Sequence, residues 1–284
     1  MGKILLLCCC LLLGGVGNLL ANEGKPAAKP LTVGLMPYLS TRTLLANYQP
    51  IAVALEQSLK QPVLLLTAPD FDTFVRRVFD GEYDIVLLAP HYARLATKEY
   101  GYNALLLHKA PIRGVLISGR NAPLKSFDDL RGQIISVVDR SALIAVAGVL
   151  TLADAGLREG SDYRFVESVS HSSALHNTIS GRSRAALVSY STLILAPEEL
   201  QREAVVWREI ATVPGQFYIA HNRVPAARQQ VVKAALLAFE KTAEGQRFFE
   251  KTSHGGFREP SNEDYALLDR LLPETRRHLG NIAR

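Results

Sequence analysis

Short apolar runs alternate with segments of helical periodicity from residue 31 to near the end of the chain. Residues 31–35 place apolar side chains on one parity, and residues 62–67 and 83–88 are almost wholly apolar, which is typical of short buried strands. Between these runs, apolar residues recur three or four positions apart, as they do along one face of an amphipathic helix. The alternation predicts an α/β fold with mostly parallel sheets covered by helices on both faces.

Two such sets of strands and helices are predicted, which suits a chain of 284 residues with 48% hydrophobic residues. Residues 104–107 and 114–118 are apolar runs close together, and we interpret them as strands that cross from one lobe to the other. The chain then returns through residues 205–221 and ends in helices. The predicted domains are a linker at residues 22–30, lobe 1 at 31–113 and 217–284, and lobe 2 at 114–216.

Local signals place the ends of several elements. Asp70 is expected to cap a helix, and Gly81 to end it. Pro50 is expected in the first turn of the first helix, where its missing N–H does no harm. The apolar run at residues 62–67 predicts a buried strand.

The first 21 residues have the features of a secretory signal peptide. Lys3 precedes an apolar run at residues 4–13, and small residues lead to Ala21. The apolar run is too short to span a bilayer in the usual way. Cleavage is predicted after Ala21, with a cut after Gly17 as the alternative, and the protein is expected in the periplasm.

All the cysteines of the chain lie in this leader, at Cys8, Cys9 and Cys10. A lipoprotein signal usually has a small residue before its acceptor cysteine, whereas Leu7 precedes Cys8. Once the leader is removed, no thiol remains. That excludes disulfides, cysteine nucleophiles, thiolate metal sites and cofactors attached through cysteine.

Charge and motifs exclude further classes of function. The net charge of +5 is spread over basic residues scattered among acidic ones, without the basic patch that nucleic-acid binding requires. The sequence has no G-x-S-x-G elbow, P-loop or G-x-G-x-x-G motif. Its histidines show no spacing that would gather metal ligands. We therefore expect no enzymatic activity, no cofactor and no metal.

Polar loops after the predicted strands form the candidate site, because ligands of open α/β sheets bind beyond the carboxyl ends of the strands. These loops hold many hydroxyls, two histidines and few carboxylates. Hydroxyls and free amides at helix starts favour an anion that is held mainly by neutral donors. The candidate ligand-binding residues are Tyr38, Ser40, Thr41, Arg42, His91, Tyr92, Arg140, Ser141, His171, Ser172, Ser173, Ser189 and Tyr190.

Several of these residues have an ordinary structural interpretation as well. Arg42 is either a ligand clamp or a solvated loop residue, and the hydroxyls beside it are either an anion pocket or a helix cap. His91 is either a ligand residue or a capping or packing histidine. Arg140 could equally point to solvent beside Asp139, and polar residues such as Ser189 are common after strands.

Four phrases of the sequence resemble a known family. They are GLMPYLSTRTLLANYQPIAVAL, APDFDTFVRRVFDGEYDIVLLAPHYARL, DLRGQIISV and VSHSSALHNTISGR. The chain is similar to the phosphate/phosphite/phosphonate-type substrate-binding proteins of ABC transporters, a branch of the type II periplasmic binding-protein fold. The resemblance implies two α/β lobes joined by a two-strand hinge, with C-terminal helices and a ligand between the lobes.

The family's phosphonate-gripping helix start is only partly kept. In phosphonate-binding members this start reads Ser-Thr-Ser-Gly, and here the place reads Arg140-Ser141-Ala142-Leu143. One hydroxyl remains, and the resemblance implies that Arg140 could replace the lost donors with a bidentate guanidinium. The family's histidine at a following helix start corresponds to His171.

The family's amine-binding carboxylates are also absent at the places that correspond to them. Those places are Ser191 and Gln216 in this sequence. A buried ammonium group without a carboxylate partner would cost on the order of several kcal/mol. The resemblance therefore implies a ligand other than 2-aminoethylphosphonate. The family's tyrosine beside the ligand falls at Leu88, with Tyr92 one helical turn on.

The predicted function is capture of a small oxyanion and its delivery to an ABC permease in the inner membrane. The protein is expected to act as a monomer, without nucleic acid. The altered phosphonate motif leaves a second hypothesis, a ligand-sensing subunit that regulates a membrane sensor kinase or cyclase. An enzyme acting on a phosphorylated metabolite is the third possibility.

Overall fold

The computed structural model describes residues 29–282 apart from 169 and 195, and does not describe the side chains of residues 171, 281 and 282. The predicted signal peptide and its cleavage sites lie outside this part of the chain. Within it, every helix is too short or too polar to cross a membrane.

The first lobe begins with alternating strands and helices. They are β1 (Leu31–Leu35), α1 (Thr41–Leu59), β2 (Val63–Leu66), α2 (Phe71–Phe79), β3 (Ile85–Leu88), α3 (Pro90–Glu99) and β4 (Tyr102–His108).

The chain then crosses to the second lobe, which is built in the same way. Its elements are β5 (Ile112–Gly119), a 3-10 turn (Phe127–Leu130), β6 (Gln133–Val137), α4 (Leu143–Asp154), β7 (Tyr163–Glu167), α5 (His171–Ile179), β8 (Ala185–Ser189), α6 (Tyr190–Ile194), α7 (Glu198–Glu203) and β9 (Ala204–Val213).

After β9 the chain returns to the first lobe. The returning elements are β10 (Phe217–His221), α8 (Ala226–Glu240), α9 (Ala243–Thr252), β11 (Phe257–Arg258) and α10 (Asn262–Ile282). The helices α6 and α7 and the strand β11 were not predicted from the sequence.

Each lobe contains one mixed sheet in which most strands run in the same direction. The strand order is β11-β4-β10-β3-β1-β2 in the first sheet and β7-β6-β8-β5-β9 in the second. The returning strand β10 pairs antiparallel with both β3 and β4, and β5 pairs antiparallel with both β8 and β9. The predicted α/β fold with two lobes, two crossings and C-terminal helices is confirmed, whereas the residue bounds of the lobes remain a prediction.

The starts of α1 and α2 carry side-chain caps, and one sequence prediction about α1 fails. Asp70 caps α2 by accepting a 2.7 Å hydrogen bond from the backbone N–H of Thr73. Ser40 caps α1, so this helix begins well before Pro50. The prediction of Pro50 in the first turn was wrong, and the proline lies inside the helix.

The strand β2 is less buried than its apolar sequence predicted. Leu64 is 48% exposed, and β2 is the last strand of the first sheet. An edge strand has a neighbour on only one side, so an apolar run alone does not make it a central strand.

The two lobes pack against each other through α4 and α10. Leu143, Val146 and Ala147 of α4 belong to the same apolar cluster as Tyr92 and Ala93 of α3. Helix α10 has residue contacts with both α3 and α4. The start of α4 is therefore held directly against the first lobe.

Candidate functional site

Two of the predicted loops, those after β3 and β6, meet where α3 of the first lobe faces the start of α4 in the second. The ring nitrogen Nε2 of His91 lies 3.1 Å from the backbone carbonyl oxygen of Ser141. Both residues are nearly inaccessible, with 1% of His91 and 7% of Ser141 exposed. This hydrogen bond joins two predicted site residues that are 50 positions apart in the sequence.

The protonation of His91 follows from its surroundings. Burial lowers the pKa of His91 to about 3, so the imidazole is neutral at ordinary pH. Because a carbonyl oxygen only accepts, Nε2 carries the proton and donates it to Ser141. Nδ1 is then an acceptor, and it has no hydrogen-bond partner among the described residues.

Ser141 is held by a neighbouring carboxylate. Oδ1 of Asp139 accepts hydrogen bonds from the backbone N–H of Ser141 at 2.7 Å and from its hydroxyl at 2.6 Å. This local pattern is an Asx turn, which fixes the backbone immediately before α4. The donors that were predicted to face an oxyanion are thus paired with an internal carboxylate.

Tyr92 lies beside this group. Its ring packs against the ring of His91 with centroids 4.1 Å apart, and only 2% of the residue is exposed. Burial raises the pKa of Tyr92, and the neighbouring Ser141 side chain opposes the shift. The phenol is therefore protonated at ordinary pH.

More carboxylates approach this region than the sequence suggested. Burial raises the pKa of Asp72 at the start of α2, and the negative charge of Asp139 in the other lobe raises it further, with a smaller contribution from Glu167. Sequence reasoning missed Asp72. The phrase APDFD marks a helix start, but the distance to Asp139 is set only when the two lobes come together.

Arg140 is already occupied within its own lobe. Its guanidinium forms an ion pair with Glu159, and its backbone N–H donates to Oε1 of Glu167 at 3.1 Å. To clamp a ligand, the guanidinium would have to leave Glu159 or be shared with it.

The loop after β1 is divided between solvent and the interior. Thr41 and Arg42 are exposed, and Ser40 is exposed while it caps α1. The hydroxyl of Tyr38 instead lies 2.8 Å from the hydroxyl of Tyr48, inside the first lobe. No hydrogen bond or ion pair among the described residues joins this loop to the Ser141 region.

The remaining candidates lie at the carboxyl ends of β7 and β8. His171 is the first residue of α5; Ser173 is partly buried and donates its backbone N–H to the capping Ser170, while Ser172 is exposed. Ser189 ends β8, and its hydroxyl lies 2.8 Å from that of Thr192. Tyr190 starts the short helix α6, and the guanidinium of Arg113 lies 4.4 Å from its ring centroid.

The described residues contain no group of three or more histidine, cysteine, aspartate or glutamate side chains that could hold a metal ion.

A family model described as "ABC transporter, phosphonate, periplasmic substrate-binding protein" matches residues 33–265. The chain belongs to this family. Its members are substrate-binding components of transporters, which implies a small ligand, a membrane permease as partner and a periplasmic location. No curated protein matches this chain in sequence.

Solved structures of low sequence identity share the fold. XAC2383 from Xanthomonas citri bound to ATP has a TM-score of 0.76 at 15% identity, covering 89% of this chain and 99% of that one. PhnD1 from Prochlorococcus marinus in complex with methylphosphonate has a TM-score of 0.72 at 13% identity, covering 87% and 98%. A binding protein component of an ABC phosphonate transporter from Pseudomonas aeruginosa has a TM-score of 0.69 at 14% identity, covering 90% and 99%.

Proposed function

We propose that this protein is a monomeric periplasmic receptor that binds a small phosphorus oxyanion between its lobes and delivers it to an ABC permease. The ligand class is a phosphonate, phosphite or phosphate-like anion. The family assignment supports the transport role, and the methylphosphonate complex of PhnD1 supports this class of ligand. The protein would bind its ligand without changing it chemically.

The meeting of the lobes at Ser141 is the observation that carries the proposal. The amide and hydroxyl of Ser141 lie at the start of α4, beside the neutral His91 and the protonated Tyr92. These are neutral hydrogen-bond donors and one acceptor in a region that water barely reaches. A buried oxyanion that accepts such donors gains charge-assisted hydrogen bonds, which are about twice as strong as neutral ones.

Asp139 sets a condition on the ligand. Its carboxylate now pairs with Ser141, so an oxyanion must take over these donors. The negative charges of Asp139, Asp72 and Glu167 also repel it. A monoanion such as methylphosphonate near neutral pH is therefore expected to bind better than a dianion.

Ligand binding would be coupled to movement about the two crossings between the lobes. These crossings lie between β4 and β5 and between β9 and β10, where the backbones approach closely. The N–H of His108 donates to the carbonyl of Gln216 at 2.9 Å. Two adjacent crossings that connect two packed lobes are suited to hinge closure around a ligand.

Calorimetry against a panel of anions tests this proposal. The panel is methylphosphonate, phosphite, phosphate, sulfate, 2-aminoethylphosphonate and acetate, each titrated into the protein at constant ionic strength. We expect the phosphorus monoanions to bind more tightly than sulfate and acetate. Binding to none of the phosphorus anions would contradict the proposed ligand class.

A sensing subunit is the second candidate function. The observation that supports it is the altered helix start at Arg140 and Ser141. A receptor whose phosphonate motif has changed could report a different ligand to a membrane sensor protein. Reconstitution with a permease and its ATPase in lipid nanodiscs separates the two roles. Ligand-dependent stimulation of ATP hydrolysis supports delivery, whereas its absence together with ligand-dependent binding to a sensor protein supports signalling.

A further inference from the structure

We propose a second anion-binding site in the second lobe, one that takes a phosphoryl-bearing anion. It lies at the end of the sheet opposite the cleft, which is our name for the region between the lobes that holds His91, Tyr92 and Ser141. A cavity of about 290 Å³ lies there, and Gln133 and Ile134 at the start of β6 line it. The cleft residues follow the carboxyl ends of β6, β7 and β8, whereas this cavity lies at the amino ends of the same strands. The two sites are therefore separated by the length of the sheet.

The charge of the cavity lining is wholly positive. Arg164, Arg182 and Arg184 line the cavity, and no aspartate or glutamate does. Neither Arg164 nor Arg182 forms an ion pair with a carboxylate in the part of the chain that the structure describes. Both of these arginines are exposed, and together with the half-buried Arg184 they give the cavity a positive charge that attracts an anion.

The third arginine is fixed in position. The guanidinium of Arg184 donates hydrogen bonds to the backbone carbonyls of Ala122 and Pro123. Asp129 lies 4.0 Å from it, but that carboxylate already accepts backbone N–H bonds, including one from Ser126 at 3.1 Å. Because its hydrogen bonds hold it in place, Arg184 would lose little conformational freedom when an anion binds.

The other nearby acidic residues are paired elsewhere. Asp128 and Asp162 both form ion pairs with Arg131, and Asp162 also accepts the backbone N–H of Arg158 at 2.8 Å. Arg131 thus offsets one of these two negative charges outside the cavity, and no ion pair among the described residues joins either carboxylate to Arg164 or Arg182.

Two of the residues that line the cavity, Thr178 and Ser183, belong to a buried hydroxyl network. The hydroxyl of Ser183 lies 3.0 Å from that of Ser136 and 2.9 Å from that of Thr178. Gly132 and Gly181 line the rim with left-handed backbone angles of φ +71 and +75, and a Cβ at either would meet open space. The cavity lining therefore combines buried hydroxyls and arginines with two glycines that place no side chain in front of them.

The chemistry of arginine indicates the class of ligand. Guanidinium groups present planar forks of donors that match phosphoryl oxygens in bidentate geometry. Such a group is carried by a free phosphoanion or by the headgroup of an anionic phospholipid. This proposal does not depend on the ligand of the cleft.

The test compares a cavity variant with a charge-matched control. The cavity variant is Arg164→Gln with Arg182→Gln. The control is Arg158→Gln with Arg247→Gln, two exposed arginines outside the cavity. Inorganic pyrophosphate is titrated by calorimetry, and binding to phosphatidylglycerol vesicles is measured by flotation. Circular dichroism and thermal unfolding verify that each variant is folded.

We expect the cavity variant to lose about tenfold or more in affinity for at least one probe, since each lost bidentate pair removes charge-assisted hydrogen bonds. The control should bind like the wild type. Loss with pyrophosphate identifies a free anion as ligand, and loss with vesicles alone identifies a lipid headgroup. Equal affinities of the cavity variant and the control, or no binding of either probe to the wild type, would overturn the proposal.

The conservative variant Arg164→Lys with Arg182→Lys adds a second readout. Lysine keeps the charge and loses the planar fork. An intermediate affinity supports bidentate recognition, whereas wild-type affinity shows that charge alone is recognised and overturns the proposed phosphoryl specificity.

Discussion

Asp139 and Ser141 are joined by two short hydrogen bonds at the point where the lobes meet. One carboxylate oxygen accepts both the backbone N–H and the hydroxyl of Ser141, at 2.7 and 2.6 Å. The same donors are the ones that the family's phosphonate motif would offer to a ligand. Asp139 therefore competes with an oxyanion for Ser141 in our proposal.

Replacing Asp139 with asparagine should strengthen anion binding. The amide oxygen of asparagine still accepts the Ser141 N–H, so the turn before α4 is kept while its negative charge is removed. We expect affinity for methylphosphonate to rise by about tenfold, or roughly 1.4 kcal/mol, in calorimetry. The exposed Asp80→Asn changes the net charge equally and should leave affinity unchanged. Weaker binding of Asp139→Asn would show that the carboxylate supports the site rather than competing with the ligand.

Removing two predicted ligand donors should weaken binding. The double variant Ser141→Ala with His171→Ala loses a hydroxyl and an imidazole at the starts of α4 and α5. We expect at least about a tenfold loss of affinity for methylphosphonate in calorimetry, because charge-assisted hydrogen bonds to the anion are removed. Ser58→Ala with His176→Ala removes the same groups from exposed positions and is the control. Unchanged binding of the cleft variant would remove these residues from the site.

The stability of the protein should fall as the solution becomes acidic. Burial lowers the pKa of His91 to about 3 and that of His254 to about 4, and it places the pKa of His108 well below its ordinary value. In the unfolded chain these histidines bind a proton near pH 6.5, whereas in the folded chain they stay neutral. Their contribution to the free energy of unfolding is therefore fully present above pH 6.5 and decreases below it. Each histidine contributes up to about 1.4 kcal/mol per pH unit between its two pKa values.

Urea denaturation at pH 7 and pH 5 measures this decrease. His108 is 1% exposed and both of its ring nitrogens lack hydrogen-bond partners among the described residues. His108→Phe should therefore reduce the difference in unfolding free energy between the two pH values, by about 1.4 to 2 kcal/mol. The same change at the exposed His176 is the control. An undiminished pH dependence in His108→Phe would show that this histidine does not titrate on unfolding in this range.

The crossing between β9 and β10 should not accept a side chain at Gly215. A Cβ there would lie 2.4 Å from the carbonyl oxygen of His108 and 2.7 Å from that of Ala110. Because both atoms are backbone atoms, the two crossings would have to separate. We expect Gly215→Ala to lower the free energy of unfolding by about 1–3 kcal/mol.

Gly280→Ala in α10 is the control for this substitution. A Cβ at Gly280 meets open space, so alanine should be neutral or stabilise the helix by up to about 1 kcal/mol. Equal stabilities of Gly215→Ala and Gly280→Ala in urea denaturation would contradict the close approach of the crossings.

The sequence was a good guide wherever structure depends on neighbouring residues. The period of apolar side chains indicated β1, β3 and β6, and Asp70 marked the start of α2 because a cap bonds within three residues. The sequence did not reveal that β2 is an edge strand, since its order in the sheet depends on pairings with distant residues. It also placed Pro50 wrongly, because the preceding Ser40 was the stronger start signal.

The sequence by itself determined the α/β class, the resemblance to a binding-protein family and the loops that supply polar groups, because periodicity, caps and motifs are local properties. Only the tertiary structure decided which of these groups meet. It joined His91 to Ser141, turned the hydroxyl of Tyr38 toward Tyr48 and brought Asp72 near Asp139. The contact within the first lobe depends on how β1 and α1 fold together, and the other two depend on how the lobes pack. Burial in that packed region is also what keeps His91 neutral.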